Sequence, residues 1–157
     1  MVAKTTKLKN LNIEPLSVAK YFYEKGIEDY RLTQDFLYLT YLEALKKESK
    51  VLFKEKFEAW KSGPILASVF QEMHDYYKKH KSFTGLFNKV ENIEDKTVRS
   101  LLTKVYRDYQ NSKKKGQEIE FFFQVQDEPW EQARKSLGNG QQILPTMEPI
   151  KIISFAS

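Results

Sequence analysis

The sequence predicts a mainly α fold, a compact multi-helix single domain with one small extended hairpin near residues 51–60. Three observations lead there. Apolar side chains recur at helical spacing through most of the chain. Pro and Gly fall where such stretches start and stop. One segment, from Val51 to Trp60, alternates apolar and polar residues as a half-buried strand does. A chain of 157 residues suits one domain. At that size it buries roughly 70% of the surface its unfolded form exposes, so it needs no covalent staples.

Residues 1–13 read as a flexible basic arm carrying Lys4, Lys7 and Lys9, and residues 14–157 as the helical domain. The first helix is expected from Pro15 to Lys25, with Val18, Ala19 and Phe22 on its apolar face. Pro suits a first turn, and Gly26 can adopt the left-handed conformation that ends a helix. Thr33 is read as the N-cap of a second helix. Phe36 to Leu45 is apolar on more than one side, as in a central helix packed by several others. Val51, Phe53, Glu55, Phe57 and Ala59 share alternate positions and predict the hairpin.

Ser62-Gly63-Pro64 then breaks the chain, with Pro64 expected to open helix three. Ile65, Leu66, Val69, Phe70, Met73, Tyr76 and Tyr77 form the cleanest amphipathic pattern of the sequence. Asn92 to Tyr109 predicts another helix, buried through Val98, Leu101, Leu102 and Val105. The run Lys113-Lys114-Lys115-Gly116 reads as a solvated break. In Glu118 to Gln126 the alternation of Ile119, Phe121, Phe123 and Val125 looks strand-like, yet no partner strand lies nearby. Asp127 is a candidate cap for a helix through Trp130, Ala133 and Leu137 to Gly138. Thr146 is a candidate cap for a last short helix with Ile150, Ile153 and Phe155.

Composition narrows the function. The chain is 41% hydrophobic, 30% charged and 14% aromatic, which is globular rather than disordered. It has no cysteine, so disulfides, thiolate metal sites, iron–sulfur clusters and a cysteine nucleophile are excluded together. That fits a reducing compartment. The basic N-terminus lacks the apolar core of a secretory signal, and no apolar run approaches the ~18 residues of a membrane span. The expectation is a cytoplasmic protein with no membrane partner.

No catalytic constellation emerges, and no metal or cofactor site. His74 and His80 stand six apart, which on a helix separates them around the axis, whereas a metal pair wants a spacing of three or four. Gly138-Asn139-Gly140 lacks the Lys-Ser/Thr and the preceding strand of a phosphate loop and reads as a turn. No Gly-x-Ser-x-Gly elbow occurs. The net charge of +5 leaves nucleic acid as an alternative partner, through Lys4, Lys7 and Lys9, Lys78, Lys79 and Lys81, and Lys113 to Lys115. Against it, charges of both signs are interleaved, and arginines for bidentate base contacts are few.

The block Phe57-Glu58-Ala59-Trp60-Lys61-Ser62-Gly63-Pro64 couples a charge, a large aromatic and a tight Gly-Pro turn directly to helix three. With its surroundings it resembles the Panacea domain, also called the SocA-like antitoxin domain and found in phage-associated GepA-like proteins. The resemblance runs from Val18-Ala19-Lys20-Tyr21-Phe22 through Leu37-Tyr38-Leu39-Thr40-Tyr41, peaks at Leu52-Phe53 and Glu58-Ala59-Trp60 to Gly63-Pro64-Ile65, and closes with Pro129-Trp130, Ala133-Arg134 and Ile143. The family often has a Thr-His pair before its acidic-Pro-Trp element, where this chain reads Phe123-Gln124-Val125-Gln126.

The resemblance implies a helical, non-enzymatic domain that binds and neutralises a toxin protein, usually encoded beside it, and in one type of relative delivers that toxin to a protease. It also implies that Glu118–Gln126 is helical. Phe57, Glu58, Trp60 and Trp130 are the expected partner contacts, although each also fits a packing role. The alternative function is a nucleic-acid-binding phage or mobile-element regulator.

Overall fold

The computed structural model describes residues 8–135 and 145–155. Helix α1 (Pro15–Glu24) opens on Pro15 and ends before Gly26, whose φ of +99° is the left-handed stop read from the sequence. Helix α2 (Tyr30–Glu43) begins one turn earlier than Thr33. Asp29 is its cap, its carboxylate accepting from the Arg31 N–H at 2.8 Å. Thr33 lies inside the first turn, where its hydroxyl donates back to the Asp29 carbonyl.

Helix α2 is the axis of the molecule. Thr33, Gln34 and every residue from Phe36 to Leu42 are buried, and α1 packs beside it. The all-round apolar stretch therefore marks a helix covered on several sides. It continues into a π-helical turn, Ala44–Glu48, and stops at Ser49, whose φ is +53°.

Two small sheets attach to this frame. Strand β1 (Lys9–Asn10) runs parallel to β2 (Lys50–Val51), and the pairing extends through Leu11 N–H to the Val51 carbonyl and Ile13 N–H to the Leu52 carbonyl. Leu8, Leu11 and Ile13 pack against the core. The second half of the expected arm is thus anchored, because it carries alternate apolar residues and meets an unpaired strand; residues 1–7 lie outside the described part.

The hairpin is formed by β3 (Phe57–Trp60) and β4 (Gly63–Ile65), not within 51–60, since β2 is taken by β1. Pro64 accordingly sits in a strand and does not start the next helix. β4 is an edge of the three-stranded sheet β4–β3–β5, the place where a residue without an N–H is tolerated. β5 (Thr146–Met147) pairs antiparallel with β3, so Thr146 is a strand residue rather than a cap. Gly63 is required twice over: its φ is +141°, and a Cβ there would lie 3.3 Å from a Val125 methyl.

Helix α3 (Ala67–His80) follows from Leu66 and buries Val69 and Met73. A short helix α4 (Thr84–Phe87), which the sequence pattern did not announce, leads to α5 (Lys96–Lys114). α5 is capped by Asp95, three residues later than Asn92, and absorbs most of the lysine run before Gly116. Helix α6 (Glu118–Phe123) replaces the strand-like reading and bears out the helix that the resemblance implied. Helix α7 (Glu128–Lys135) starts at Asp127, whose carboxylate accepts from the Trp130 N–H at 3.0 Å. α8 (Pro149–Ser154) closes the described chain. Gly138-Asn139-Gly140 and Ile143 lie outside the described residues. The fold is mainly α, with a core of Phe22, Phe36, Tyr38, Tyr41, Phe53 and Phe57 at its centre.

Candidate partner-binding surface

Strand β3 divides the resemblance block between two environments. Phe57 and Ala59 point inward, whereas Glu58 and Trp60 point outward and are half-buried. Phe57 is 0% exposed and sits edge-on between Tyr38 and Tyr41, with ring centroids 5.1 and 5.0 Å away. It is core, and of the four expected contacts it is the one withdrawn: a ring with no accessible surface touches no partner.

The outer edge of β3 is completed by α7. β5 pairs with Phe57 and Glu58, and the Ala59 N–H reaches the Pro145 carbonyl at 2.9 Å. Beyond that point side chains take over. Arg134 Nη1 donates to the Ala59 carbonyl at 3.0 Å, and Trp130 Nε1 donates to the Trp60 carbonyl at 2.7 Å. Trp130 and Arg134 are four residues apart, so both project from one face of α7. Gln126 Nε2 adds a bond to the Ser62 carbonyl at 3.1 Å. Backbone groups that would otherwise form an open strand edge are thereby satisfied. Trp130 is a clamp first, with part of its ring left accessible.

Asp127 anchors the clamp to the core. Besides capping α7, its second oxygen accepts from the Tyr38 hydroxyl at 2.7 Å. Burial pushes the Asp127 carboxyl up, against the pull of these two donors and of Lys46, and pushes the Tyr38 phenol up as well. Gln34 ties α2 to the hairpin's exit: its side-chain oxygen accepts from the buried Leu66 N–H at 2.8 Å. From sequence, Arg134, Gln126 and Tyr38 stand out only within the resemblance, Asp127 only as a helix cap, and Gln34 not at all; the four-residue spacing of Trp130 and Arg134 is the one local signal that places two of these side chains on a common face.

Trp60 opens a row of rings on the outside. Its indole Nε1 donates to Glu58 Oε1 at 2.7 Å, and its ring lies 5.3 Å from Phe70. Phe70 meets Tyr30 at 5.3 Å, and Tyr30 meets His74 at 5.7 Å and Tyr77 at 6.2 Å. Trp60, Phe70, Tyr30 and His74 are half-buried, and Tyr77 is 42% exposed. The row ends at an open cleft of about 360 Å³ lined by Tyr23, Tyr30 and Tyr77 together with Glu28 and Asp29. The other histidine, His80, stacks on Tyr76.

Fold and corner together define a class: a helical domain whose β-hairpin is locked by a tryptophan and an arginine from a late helix. The chain belongs to the family described as antitoxin SocA-like, Panacea domain, whose model matches residues 34–135, from Gln34 to the end of α7. The match spans the hairpin, the clamp and the outer ring row except Tyr30. No curated protein and no solved structure matches the chain. No described helix is long and apolar enough to cross a membrane.

Proposed function

We propose that this protein is an antitoxin that binds a partner toxin directly and neutralises it, using the outward face of the hairpin and the ring row beside it. The observation that supports the reading most is the row itself. Five neighbouring rings, from Trp60 on β3 through Phe70, Tyr30 and His74 to Tyr77, remain partly open beside the hairpin. A protein interface wants a centre of this kind: large rings with few conformational degrees of freedom, surrounded by polar groups that exclude water. Glu58 and Trp60, with the accessible part of Trp130, are the contacts carried over from the sequence; Phe70, Tyr30 and Tyr77 join them.

Neutralisation by binding needs no catalytic group on this chain, only coverage of the toxin's working surface. The same reading includes delivery of the bound toxin to a protease, as the family resemblance implies. The test is co-expression with the product of the adjoining gene. Growth restored by this chain, with both proteins recovered as one complex, is the expected result. A faster loss of toxin in the presence of the chain adds the delivery step; an unchanged half-life leaves neutralisation by occupancy alone. Absence of both rescue and complex overturns the proposal.

A further inference from the structure

Helix α5 carries the positive charge of the molecule. Residues 96–115 hold seven of the chain's 26 lysines and arginines and one of its 21 carboxylates, a surplus of six where the whole chain has five. The rest of the protein is close to neutral, and the interleaving of signs stops at this helix.

Its residues sort by position around the axis. Val98, Leu101, Leu102, Val105 and Tyr109 are buried. On the opposite side stand Lys96, Arg107 and Lys114, eleven and seven residues apart, which is three turns and then two, so they align in one file. The file runs for about 27 Å at the rise of an α-helix. Ser100, Thr103, Gln110 and Asn111 fill its spaces, and all seven side chains are exposed.

The one carboxylate of the helix, Asp108, lies off this file and holds Lys104 at 2.7 Å, which Glu43 also meets at 3.3 Å. At the ends, Asp95 caps the helix through the Val98 N–H, and Glu118 accepts from the Tyr109 hydroxyl. Every other cation of residues 96–115 is without an ion pair among the described residues, and so is Lys25, whose ammonium sits 5.6 Å over Tyr106 on the flank of α5. Lys113 and Lys114 suit the negative end of the helix dipole, but Lys96 stands at the first helical position, where the dipole opposes a cation. Helix stability therefore accounts for the lysine run and not for the whole file.

The chemistry of the face selects the occupant. A protein partner wants a desolvated, ring-rich centre. The large apolar side chains exposed among the described residues are Tyr77, Ile119, Phe123, Ile150 and Phe155, and none is on α5. A phosphate backbone wants what this face has, cations at intervals with hydroxyl and amide groups between them. Single strands need open rings for stacking, whereas Tyr106 is half-buried beneath Lys25. The major groove of B-DNA admits a helix, and that of A-form RNA is too narrow for one.

We infer that the outer face of α5 binds the phosphate backbone of double-stranded DNA without sequence preference, through Lys96, Arg107 and Lys114 with Lys25 at the flank. The face shares no residue with the ring row, so this is a second binding activity and does not depend on the toxin reading.

Fluorescence anisotropy of the whole chain with a fluorescein-labelled DNA duplex of about 20 base pairs tests this. The wild type is expected to bind at about 50 mM salt, with log affinity falling against log salt at a slope of about −4, as four neutralised phosphates require. The triple variant Lys96→Gln, Arg107→Gln, Lys114→Gln is expected to lose at least about thirtyfold in affinity at that salt and to flatten the slope by about three, with helical content and melting unchanged. Lys54→Gln, Lys78→Gln, Lys135→Gln removes the same charge from exposed positions elsewhere and is expected to cost less than about threefold. No binding by the wild type at micromolar protein, or equal losses from the two triple variants, overturns the inference. So does tighter binding of a poly-glutamate peptide or of an RNA duplex of the same sequence, because the occupant would then be of another kind.

Co-expression with the toxin keeps the two proposals apart. The α5 triple variant is expected to rescue growth as the wild type does. Loss of rescue by that variant, folded, would make α5 part of the toxin contact and overturn its assignment to DNA. Failure of the wild type to rescue strikes the antitoxin reading alone, while the anisotropy series still decides the DNA face.

Discussion

The indole N–H of Trp130 donates to the main-chain carbonyl of Trp60 at 2.7 Å, across 70 residues of sequence. One tryptophan thus holds the backbone of the other, and the second ring is left facing outward beside Phe70. The bond joins helix α7 to strand β3 at the point where β5 has ended, and so fixes the hairpin against the rest of the domain.

Trp130→Phe keeps most of the ring and removes the donor. It removes the indole donor that ties α7 to the Trp60 carbonyl and is expected to cost about 0.5–1.5 kcal/mol. Denaturant unfolding monitored by circular dichroism checks this, and Arg134→Met, which strips the Ala59 carbonyl of its partner, is expected to fall in the same range.

Phe57→Ala opens a cavity among Tyr38, Tyr41 and Phe53 and is expected to cost about 3–5 kcal/mol. Phe57→Leu, a smaller loss, is expected to leave partner binding intact in the folded fraction. Calorimetric titration of that variant separates a core role from a contact role; a large drop in affinity at full folding would return Phe57 to the interface.

Gln34 is the link between α2 and the start of α3. Gln34→Ala deprives the buried Leu66 N–H of its acceptor and is expected to destabilise by about 1–3 kcal/mol. Native-state hydrogen exchange is the sharper measurement, because the Leu66 amide itself should lose protection.

Burial, assisted by the negative charge of Asp29, raises the Asp35 carboxyl to about 7. The unfolded group titrates near its ordinary value, so between about pH 4 and 7 the folded state holds a proton that the unfolded state has lost. Stability is therefore greatest from this group below pH 4 and falls as pH rises to 7. Asp35→Asn is expected to flatten that decline and to raise the melting temperature at pH 8; an unchanged pH profile would contradict the assignment.

On the ring row, Phe70→Ser and Tyr77→Ser are expected to weaken toxin binding by 2 kcal/mol or more together, about thirtyfold, with little effect on melting for the exposed Tyr77. Calorimetric titration of each variant with purified toxin reads this.

The helical frame was legible in the sequence wherever one face is buried. α1, α2, α3 and α5 follow their apolar spacing, and Pro15 and Gly26 bound α1 as read. What failed to show was non-local. Pro64 looks like a helix opener, but pairing with Ala59 makes it an edge-strand residue. Thr146 looks like a cap, yet Glu58, far away in sequence, holds it as a strand. The alternation of Ile119, Phe121 and Phe123 misleads because Ile119 and Phe123 are exposed on a helix whose other face buries Phe121; open apolar residues blur periodicity. The site was half legible: the block from Phe57 to Pro64 stands out, but which of its rings face inward depends on the strand's register, and its clamp on residues 70 or more positions away.

Size-exclusion chromatography of purified protein mixed with the purified product of the adjoining gene tests the central claim most directly. The account predicts a single co-eluting complex, weakened by Phe70→Ser and Tyr77→Ser. Two separate peaks at micromolar concentration, from folded proteins, would contradict it.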